Sequence, residues 1–290
     1  MQFNKVTQKH IDELKAIFGD ANVLFDEEKM DMYSRDEVSD KQWEHMPEVV
    51  VKAGSAQEIS ELCKWANVNM VPITPRGGGS GLAAGAVPFS GGVVLSTERM
   101  NKVHEIDTQN LFMVLEPGVT TGEVQALAKE QGLLYAGDPC SADSSFIGGN
   151  IATNAGGNRA VKYGTTSRHV YGLEVVTPAG DIVTLGGKNV KDVTGYDVVH
   201  LMVGSEGTLG IVTKIWLKLI PLPKYVADLL VPFEKMQDAI NVVPKIMTAG
   251  VVPTCLEFMD SDSIKAAEMY LNKKLPHSDA GAYVIIEVDG

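Results

Sequence analysis

The chain has 290 residues, 44% of them hydrophobic and 21% charged, which is enough to build one large or two ordinary folded domains. Its 37 acidic and 25 basic residues give a formal net charge of -12. Nucleic acids and anionic membranes are recognised through clustered Lys and Arg; the chain has no such basic stripe, so we exclude both as partners.

The N-terminus and the cysteines indicate the compartment. Residues 1–7 lack the apolar core of a signal peptide, and the longest apolar runs are too short for a transmembrane segment. Cys63, Cys140 and Cys255 lie far apart and form no CxxC motif. We therefore predict a cytoplasmic protein without a transmembrane segment, whose three cysteines are reduced and serve only in packing.

Hydrophobic periodicity predicts helices and strands in alternation. The first part of the chain is predicted to hold helix 7–18, strand 49–51, helix 55–67 and strand 71–74. The middle is predicted to hold strands 93–96, 103–106 and 111–116, helix 121–131, a hairpin of strands 170–177 and 181–185, and a long strand 209–219. After Pro221 and Pro223, which indicate a domain boundary, the predicted order is strand 225–231, helix 234–249, strand 255–259, helix 261–273 and strand 282–288.

Glycines cluster directly after strand 71–74, in the run Pro75-Arg76-Gly77-Gly78-Gly79-Ser80-Gly81-Leu82. Glycine lets consecutive backbone N–H groups turn toward one point, and such nests bind phosphate oxygens. The run is not a dinucleotide fingerprint, because no strong helix follows it, and Gly186-Gly187-Lys188-Asn189 is not a P-loop. Taken alone, the run is as typical of a surface turn as of a phosphate site.

Three further glycine-rich segments favour a ligand site over surface turns. Residues 144–157 consist mainly of small residues, amides and hydroxyls, yet Phe146, Ile147 and Ile151 indicate that this segment is buried. Residues 204–213 open the long strand, and Pro117-Gly118-Val119 ends another. The pattern predicts that backbone packs closely against a large, flat or phosphorylated cofactor.

Together and in this order, these motifs resemble the FAD-linked oxidases of the vanillyl-alcohol oxidase and p-cresol methylhydroxylase (PCMH) type. The resemblance is strongest to the branch of D-lactate dehydrogenase and the glycolate oxidase flavoprotein subunit. It covers about residues 47–221 and continues more loosely beyond them. The matching motifs are residues 75–82, 117–119, Gly137-Asp138-Pro139, 147–157, Lys162-Tyr163-Gly164, 191–197 and 204–213.

The resemblance implies a set of FAD-binding residues. They are Pro75, Arg76, Gly77, Gly78, Gly79, Ser80, Gly81, Leu82, Pro117, Gly118, Val119, Asp138, Pro139, Ser144, Gly148, Gly149, Asn150, Ala152, Asn154, Tyr163, Gly164, Glu206, Gly207, Gly210, Ile211 and Val212. Residues 76–81 are implied to cradle the pyrophosphate, and residues 118–119 to line the dinucleotide. Pro139 and Ser144 are implied to lie by the flavin ring, residues 148–154 along the ribityl and pyrophosphate region, and residues 207–212 on the adenine side.

Some of these residues have a plainer alternative role. Arg76 either pairs with phosphate or is an ordinary surface arginine beside a turn. Asp138 is more typical of a turn than of a catalytic base. Glu206 is at least as well suited to accept hydrogen bonds from loop amides as to take part in chemistry. The residues identify neither the catalytic base nor the group that binds the substrate carboxylate.

Two departures from the family bear on cofactors. Some relatives tether flavin covalently through a histidine in the first loop; that place corresponds to Ser80, so we predict non-covalent FAD. Many relatives carry a metal-binding HxGDGNxH segment late in the chain, and this sequence has none, nor an HxH or HExxH motif. We therefore predict no metal site in this chain, and we expect it to be a fragment of a longer protein.

The resemblance implies an α+β fold, with a two-subdomain PCMH-type FAD-binding domain followed by a partial antiparallel α+β cap. The expected division is a helical lead over 1–45, the FAD-binding domain over 46–222 and the cap over 223–290. The implied function is FAD-dependent oxidation of a small 2-hydroxy acid of the D-lactate or glycolate type. Electrons would pass to a quinone, an electron-transferring flavoprotein or an iron–sulfur partner subunit. Two alternatives remain: the same cradle serving another substrate, and a flavin-binding electron-transfer subunit without substrate chemistry of its own.

Overall fold

The structure, a computed structural model, describes residues 3–290. The α-helices in this range are α1 (Gln8–Phe18), α2 (Glu27–Met30), α3 (Ala56–Asn69), α4 (Thr121–Glu130), α5 (Ile147–Thr153), α6 (Ala160–Tyr163), α7 (Val198–Met202), α8 (Met236–Thr248) and α9 (Ser261–Leu271). The strands are β1 (Val23–Leu24), β2 (Val49–Lys52), β3 (Ile73–Arg76), β4 (Val93–Ser96), β5 (Val103–Asp107), β6 (Phe112–Leu115), β7 (Leu133–Leu134), β8 (Val170–Val176), β9 (Ile182–Gly186), β10 (Ile211–Lys218), β11 (Ile220–Pro221), β12 (Val226–Phe233), β13 (Cys255–Asp260) and β14 (Ala282–Asp289).

The chain divides into two compact units. Unit 1 consists of the residues up to Tyr135 together with Ser141–Ala155 and Thr166–Pro221. Unit 2 consists of Ala136–Cys140, Gly156–Thr165 and Leu222–Gly290. Each unit therefore draws on chain segments that are distant in sequence.

Unit 1 begins with a four-stranded sheet in the order β1-β2-β4-β3, in which β2 and β3 both run parallel to β4. Strands β2 and β4 each begin with three consecutive buried apolar residues, as expected for strands buried on both faces. Helix α1 begins at Thr7, whose side chain accepts from the N–H of His10, and helix α3 begins at the cap Ser55. The apolar sides of these helices complete this core. Because β2 and β3 are parallel, their carboxyl ends lie at the same edge of the sheet.

The second sheet of unit 1 is antiparallel, in the order β5-β6-β10-β8-β9. Strand β10 alternates buried and half-buried residues along its length, which is the period of a strand with one face on the core. Its inward residues, such as Ile215, share one apolar cluster with Val124 of α4 and Ile151 of α5. This sheet therefore supports α5, the helix that opens the second glycine-rich segment.

Unit 2 contains the three-stranded antiparallel sheet β12-β14-β13. Helices α8 and α9 pack against these strands, and Ala239, Ala282 and Val284 form its buried apolar cluster. Most residues of β12 are exposed, so this sheet has a far smaller core than the sheets of unit 1. Among residues 3–290, no helix has both the length and the apolar character needed to cross a membrane.

The predicted α+β class is confirmed, and the predicted helices and strands form with bounds shifted by a few residues. The predicted hairpin is present as β8 and β9, with Gly180 at φ 87 in its turn. The sequence did not predict α5, because its small and glycine residues carry little helical periodicity. Cys63 and Cys255 are buried as predicted, but the prediction was wrong for Cys140, which is exposed because it lies in a surface turn beside Asn158.

Candidate cofactor site

The first glycine run follows the buried end of β3, and we call residues 76–81 the glycine loop. Among the described residues, the backbone N–H groups of 77–81 donate no hydrogen bond to the protein. Gly79 has φ 72, a left-handed conformation that an L side chain rarely adopts. Free N–H groups close together on a glycine backbone are the chemistry of an anion nest. The glycine loop therefore suits the oxygens of a pyrophosphate.

The second glycine-rich segment packs directly against the glycine loop. A Cβ added to Gly77 would lie 3.4 Å from Cα of Gly149, and one added to Gly78 would overlap the carbonyl oxygen of Ser144. A Cβ on Gly149 itself would meet nothing within 4 Å. The two predicted segments therefore meet backbone to backbone, and Gly149 faces open space beside the glycine loop.

The Pro117–Val119 segment supports the start of α5. The N–H of Gly148 donates to the carbonyl of Pro117 at 2.8 Å, and that of Ile147 to the carbonyl of Val119 at 3.0 Å. Gly118 is buried, and an added Cβ would overlap the carbonyl oxygen of Thr97. These contacts fix the first turn of α5, so the third predicted segment joins the first two.

Residues 204–212 contact the other end of α5. Glu206, at φ 52, donates its N–H to the carbonyl of Ala152 at 2.8 Å, and Gly204 donates to Ile151 at 2.9 Å. A Cβ on Gly207 would lie 3.0 Å from Cγ of Pro75, directly before the glycine loop. The first glycine run and residues 117–119, 144–155 and 204–212 are thus brought together within unit 1, as the sequence predicts for a cofactor site.

Asn150 in α5 and Asn154 directly after it form side-chain hydrogen bonds within the protein. Asn150 is buried and donates to Oγ1 of Thr121 at 2.6 Å, and that hydroxyl lies 2.8 Å from the Ser145 hydroxyl. Asn154, at φ 47, accepts from the N–H of Ser167 at 2.9 Å. These side chains position α5, so the surface left for a ligand is backbone and small side chains.

The remaining predicted site residues, at 138–139 and 163–164, belong to unit 2. Asp138 pairs with Arg159, with 3.4 Å between Oδ2 and Nε. The Tyr163 hydroxyl donates to Oδ2 of Asp289 at 2.8 Å, and Lys162 binds the same carboxylate. Burial raises the pKa of Tyr163, and the bond to Asp289 raises it further. The phenol is therefore protonated at neutral pH and hydrogen-bonded to Asp289.

The guanidinium of Arg76 corresponds to neither alternative predicted from the sequence. Arg76 is only 8% exposed, and its Nη1 and Nη2 donate to the carbonyls of Arg35 and Met32 at 2.7 and 2.9 Å. The prediction of a helical lead over 1–45 gave no indication that this region contacts the glycine loop. No local pattern signals this contact, because its partners are more than 40 positions apart in sequence.

The residues of unit 1 fit the pyrophosphate of FAD on two structural grounds: the N–H groups of residues 77–81 make no bond within the described protein, and a Cβ on Gly149 would enter open space beside the glycine loop. Within residues 3–290, no group of three or more His, Cys, Asp or Glu side chains is arranged to hold a metal ion. The chemistry assembled here is that of a phosphorylated organic cofactor.

Comparison with known proteins identifies the domains. A family described as FAD binding domain matches residues 47–186, and one described as FAD linked oxidases, C-terminal domain, matches residues 222–290. The chain is 40% identical to D-lactate dehydrogenase of Anaerostipes hadrus, over 100% of this chain and 61% of that protein. It is 44% identical to glycolate oxidase subunit GlcD of Bacillus subtilis, over 86% of this chain and 53% of that protein.

A solved structure supports the same assignment. Alkyldihydroxyacetonephosphate synthase is 25% identical, with a TM-score of 0.82 over 100% of this chain and 57% of that chain. The chain therefore spans roughly half to three fifths of the proteins it matches. The match to an FAD binding domain confirms the predicted cofactor, FAD. From both family matches and from these relatives, this chain belongs to the FAD-linked oxidases.

Proposed function

We propose that this chain is the flavin-binding part of an FAD-dependent oxidoreductase that oxidises a small 2-hydroxy acid of the D-lactate or glycolate type. The observation that carries the proposal is the convergence of four glycine-rich segments on one set of unbonded backbone N–H groups. The two relatives named above, a D-lactate dehydrogenase and a glycolate oxidase subunit, support the substrate class.

In this proposal the glycine loop binds the pyrophosphate through its N–H groups, and Gly149 leaves room for the dinucleotide beside it. Residues 117–119 and 204–212 hold α5 in place. Bound FAD would supply a hydride acceptor, N5, and oriented backbone N–H groups favour the negative charge of a reduced flavin. Ser80 stands where some relatives carry a tethering histidine, so FAD is bound without a covalent link.

The domain division, partners and compartment are part of the same proposal. Residues 1–45 form a lead, 46–222 the FAD-binding domain, and 223–290 the first part of a substrate cap. The name of the second relative, an oxidase subunit, supports an electron-accepting partner, either an electron-transferring flavoprotein or an iron–sulfur protein. The absence of any disulfide among the described cysteines is compatible with a cytoplasmic location.

Two spectroscopic measurements on the purified 290-residue chain test the proposal. The first is acid precipitation of the FAD-loaded protein: non-covalent FAD appears in the supernatant, whereas flavin left in the pellet contradicts the interpretation of Ser80. The second is anaerobic mixing with D-lactate, glycolate or the longer D-2-hydroxyglutarate. Bleaching of the flavin absorbance by one of these acids, and not by propionate, which lacks the hydroxyl, supports hydride transfer from the 2-hydroxy carbon.

The outcomes separate the candidate functions. A folded chain that takes up no FAD contradicts the proposal as a whole. If the chain binds FAD and neither it nor the full-length protein is bleached by any of the acids, the second candidate, an electron-transfer subunit, is favoured. A chemical reductant then shows whether the flavin is redox-competent.

A further inference from the structure

A short segment outside the matched FAD-binding domain lies against the glycine loop. We call residues 31–37 the strap; it begins with a turn of 3₁₀ helix, Asp31–Tyr33, and precedes the domain match at residue 47. The N–H of Glu37 donates to the carbonyl of Gly81 at 2.9 Å, at the far end of the loop. At the near end, Arg76 donates to the carbonyls of Met32 and Arg35. The strap is therefore bonded to both ends of the loop.

Arg76 also determines the space beneath the loop. A Cβ added to Gly79 would overlap the guanidinium, and a side chain there would be strained by φ 72 in any case. The guanidinium thus lies directly against Gly79, where the loop backbone takes its left-handed conformation. Burial lowers the pKa of Arg76, and the nearby carboxylate of Asp36 opposes that effect. The guanidinium charge is thus buried beneath the loop, and the carboxylate of Asp36 partly balances it.

The strap itself is anchored to the parallel sheet. Tyr33 is 3% exposed; its hydroxyl donates to Oε2 of Glu98 at 2.8 Å, and Lys52 pairs with Oε1 of the same carboxylate at 2.6 Å. The Tyr33 ring lies 5.7 Å from the guanidinium carbon of Arg76. Because Tyr33 is fixed between Glu98 and Arg76, the carbonyls on either side of it are presented to Arg76 in a defined geometry.

We propose that the strap is part of the cofactor site, with Arg76 as the positioning residue that fixes the glycine loop on it, so that affinity for the FAD pyrophosphate depends on residues 31–37. This inference rests on the proposed function. Arg76 does not need to touch the cofactor: its two bonds hold the loop in the shape that presents the N–H groups of 77–81.

The test is Arg76→Lys in the full 290-residue chain, because lysine keeps the charge but cannot reach two carbonyls with a rigid fork. We expect the FAD dissociation constant, measured by quenching of flavin fluorescence, to rise about tenfold. The matched control is Arg99→Lys. Arg99 likewise donates to a backbone carbonyl, that of Lys52 at 2.7 Å, and lies under a glycine, Gly54, at the end of β2. We expect that variant to bind FAD as the wild type does.

A second readout separates positioning from general stability. In the wild type, FAD should slow amide hydrogen exchange in the strap, most clearly at Glu37, and this slowing should be lost in Arg76→Lys. Tyr33→Phe, which removes the hydroxyl that bonds Glu98 and leaves the ring in place, should weaken FAD binding about threefold and tests the inference independently of Arg76.

Distinct results overturn the inference and the proposed function. Arg76→Lys with an unchanged FAD dissociation constant, and an equal loss of melting temperature with and without FAD, would make Arg76 a purely structural residue. FAD-dependent slowing confined to 76–81 and 147–154 would exclude the strap from the site. A wild type that binds no FAD would overturn the proposed function, and the inference with it.

Discussion

The glycine loop of unit 1 and residues 156–165 of unit 2 are both short connecting segments, but different forces hold them. Around the glycine loop the contacts are backbone on backbone, with Gly78 against the carbonyl of Ser144 and Gly77 against Gly149. In unit 2 the contacts are made by side chains: Lys162 and Tyr163 both bind the carboxylate of Asp289. The glycine loop depends on positions that carry no side-chain atoms, and residues 156–165 depend on paired charges.

This difference determines how each segment responds to change. A close contact between two backbone segments does not accommodate an added methyl group, because no flexible side chain can rotate out of its way. A charged hydrogen-bonded cluster tolerates small shifts in geometry, but it fails when one partner loses its charge. Steric variants should therefore act mainly on unit 1, and charge variants or pH mainly on unit 2.

The largest effect is expected from Gly78→Ala. The new Cβ would overlap the carbonyl oxygen of Ser144, so the glycine loop must separate from the 144–150 segment. We expect the free energy of unfolding to fall by about 3 kcal/mol, and FAD binding to be lost in fluorescence titrations. Gly187→Ala is the matched control, since a Cβ there meets nothing within 4 Å. Wild-type stability and FAD affinity in Gly78→Ala would disprove the steric interpretation.

Asp289→Asn should have the next largest effect, and it should act on unit 2. The side chain of Asp289 is only 3% exposed, and asparagine cannot balance the charge of Lys162. We expect a loss of about 2 kcal/mol in urea denaturation. Asp262→Asn is the control, because Asp262 pairs with Lys265 on the surface with its side chain 89% exposed, and such pairs contribute little. Equal stability of the two variants would show that the buried cluster contributes no more than a surface pair.

The contacts that these two variants change differ in how well the sequence predicts them. The glycine segments were recognisable because their composition, glycine with small polar residues after a strand, is local information. So were the caps Thr7 and Ser55, which stand directly before their helices. Such features constrain the chain within a few residues, and the α+β fold was implied by the family resemblance that the glycine segments carry.

The features that could not be predicted are pairings over long sequence distances. Lys162 and Asp289 are 127 positions apart, and Arg76 and Arg35 are 41 apart, and each of these residues has an ordinary local context. Helix α5 was missed for a different reason. Its stability comes from tertiary contacts, such as that of Gly148 with Pro117, rather than from helical propensity.

Gly149→Ala should produce a smaller effect that separates the cofactor from the fold. A Cβ at this position meets nothing within 4 Å, and alanine in a helix is favoured over glycine by about 0.5–1 kcal/mol. The protein without FAD should therefore keep or slightly gain stability. FAD affinity should fall about tenfold, because the methyl group occupies the space beside the glycine loop. A loss of stability without FAD, or unchanged affinity, would mean that the open space is not part of the site.

The smallest expected effect is the pH dependence of the Asp289 cluster. Burial raises the pKa of Asp289, but hydrogen bonds from Lys162 and Tyr163 outweigh it, so the pKa lies below its ordinary value. As the pH falls, the unfolded chain therefore binds this proton first, at roughly pH 3.9, and the folded protein binds it later. The contribution of this carboxylate to the free energy of unfolding is complete above about pH 3.9 and is lost as the pH falls through the folded-state pKa.

The stability difference between wild type and Asp289→Asn should thus be constant from pH 5 to 7 and shrink by about 1 kcal/mol below pH 4. A difference that stayed constant on acidification would indicate that packing, and not charge, holds residues 156–165 in unit 2.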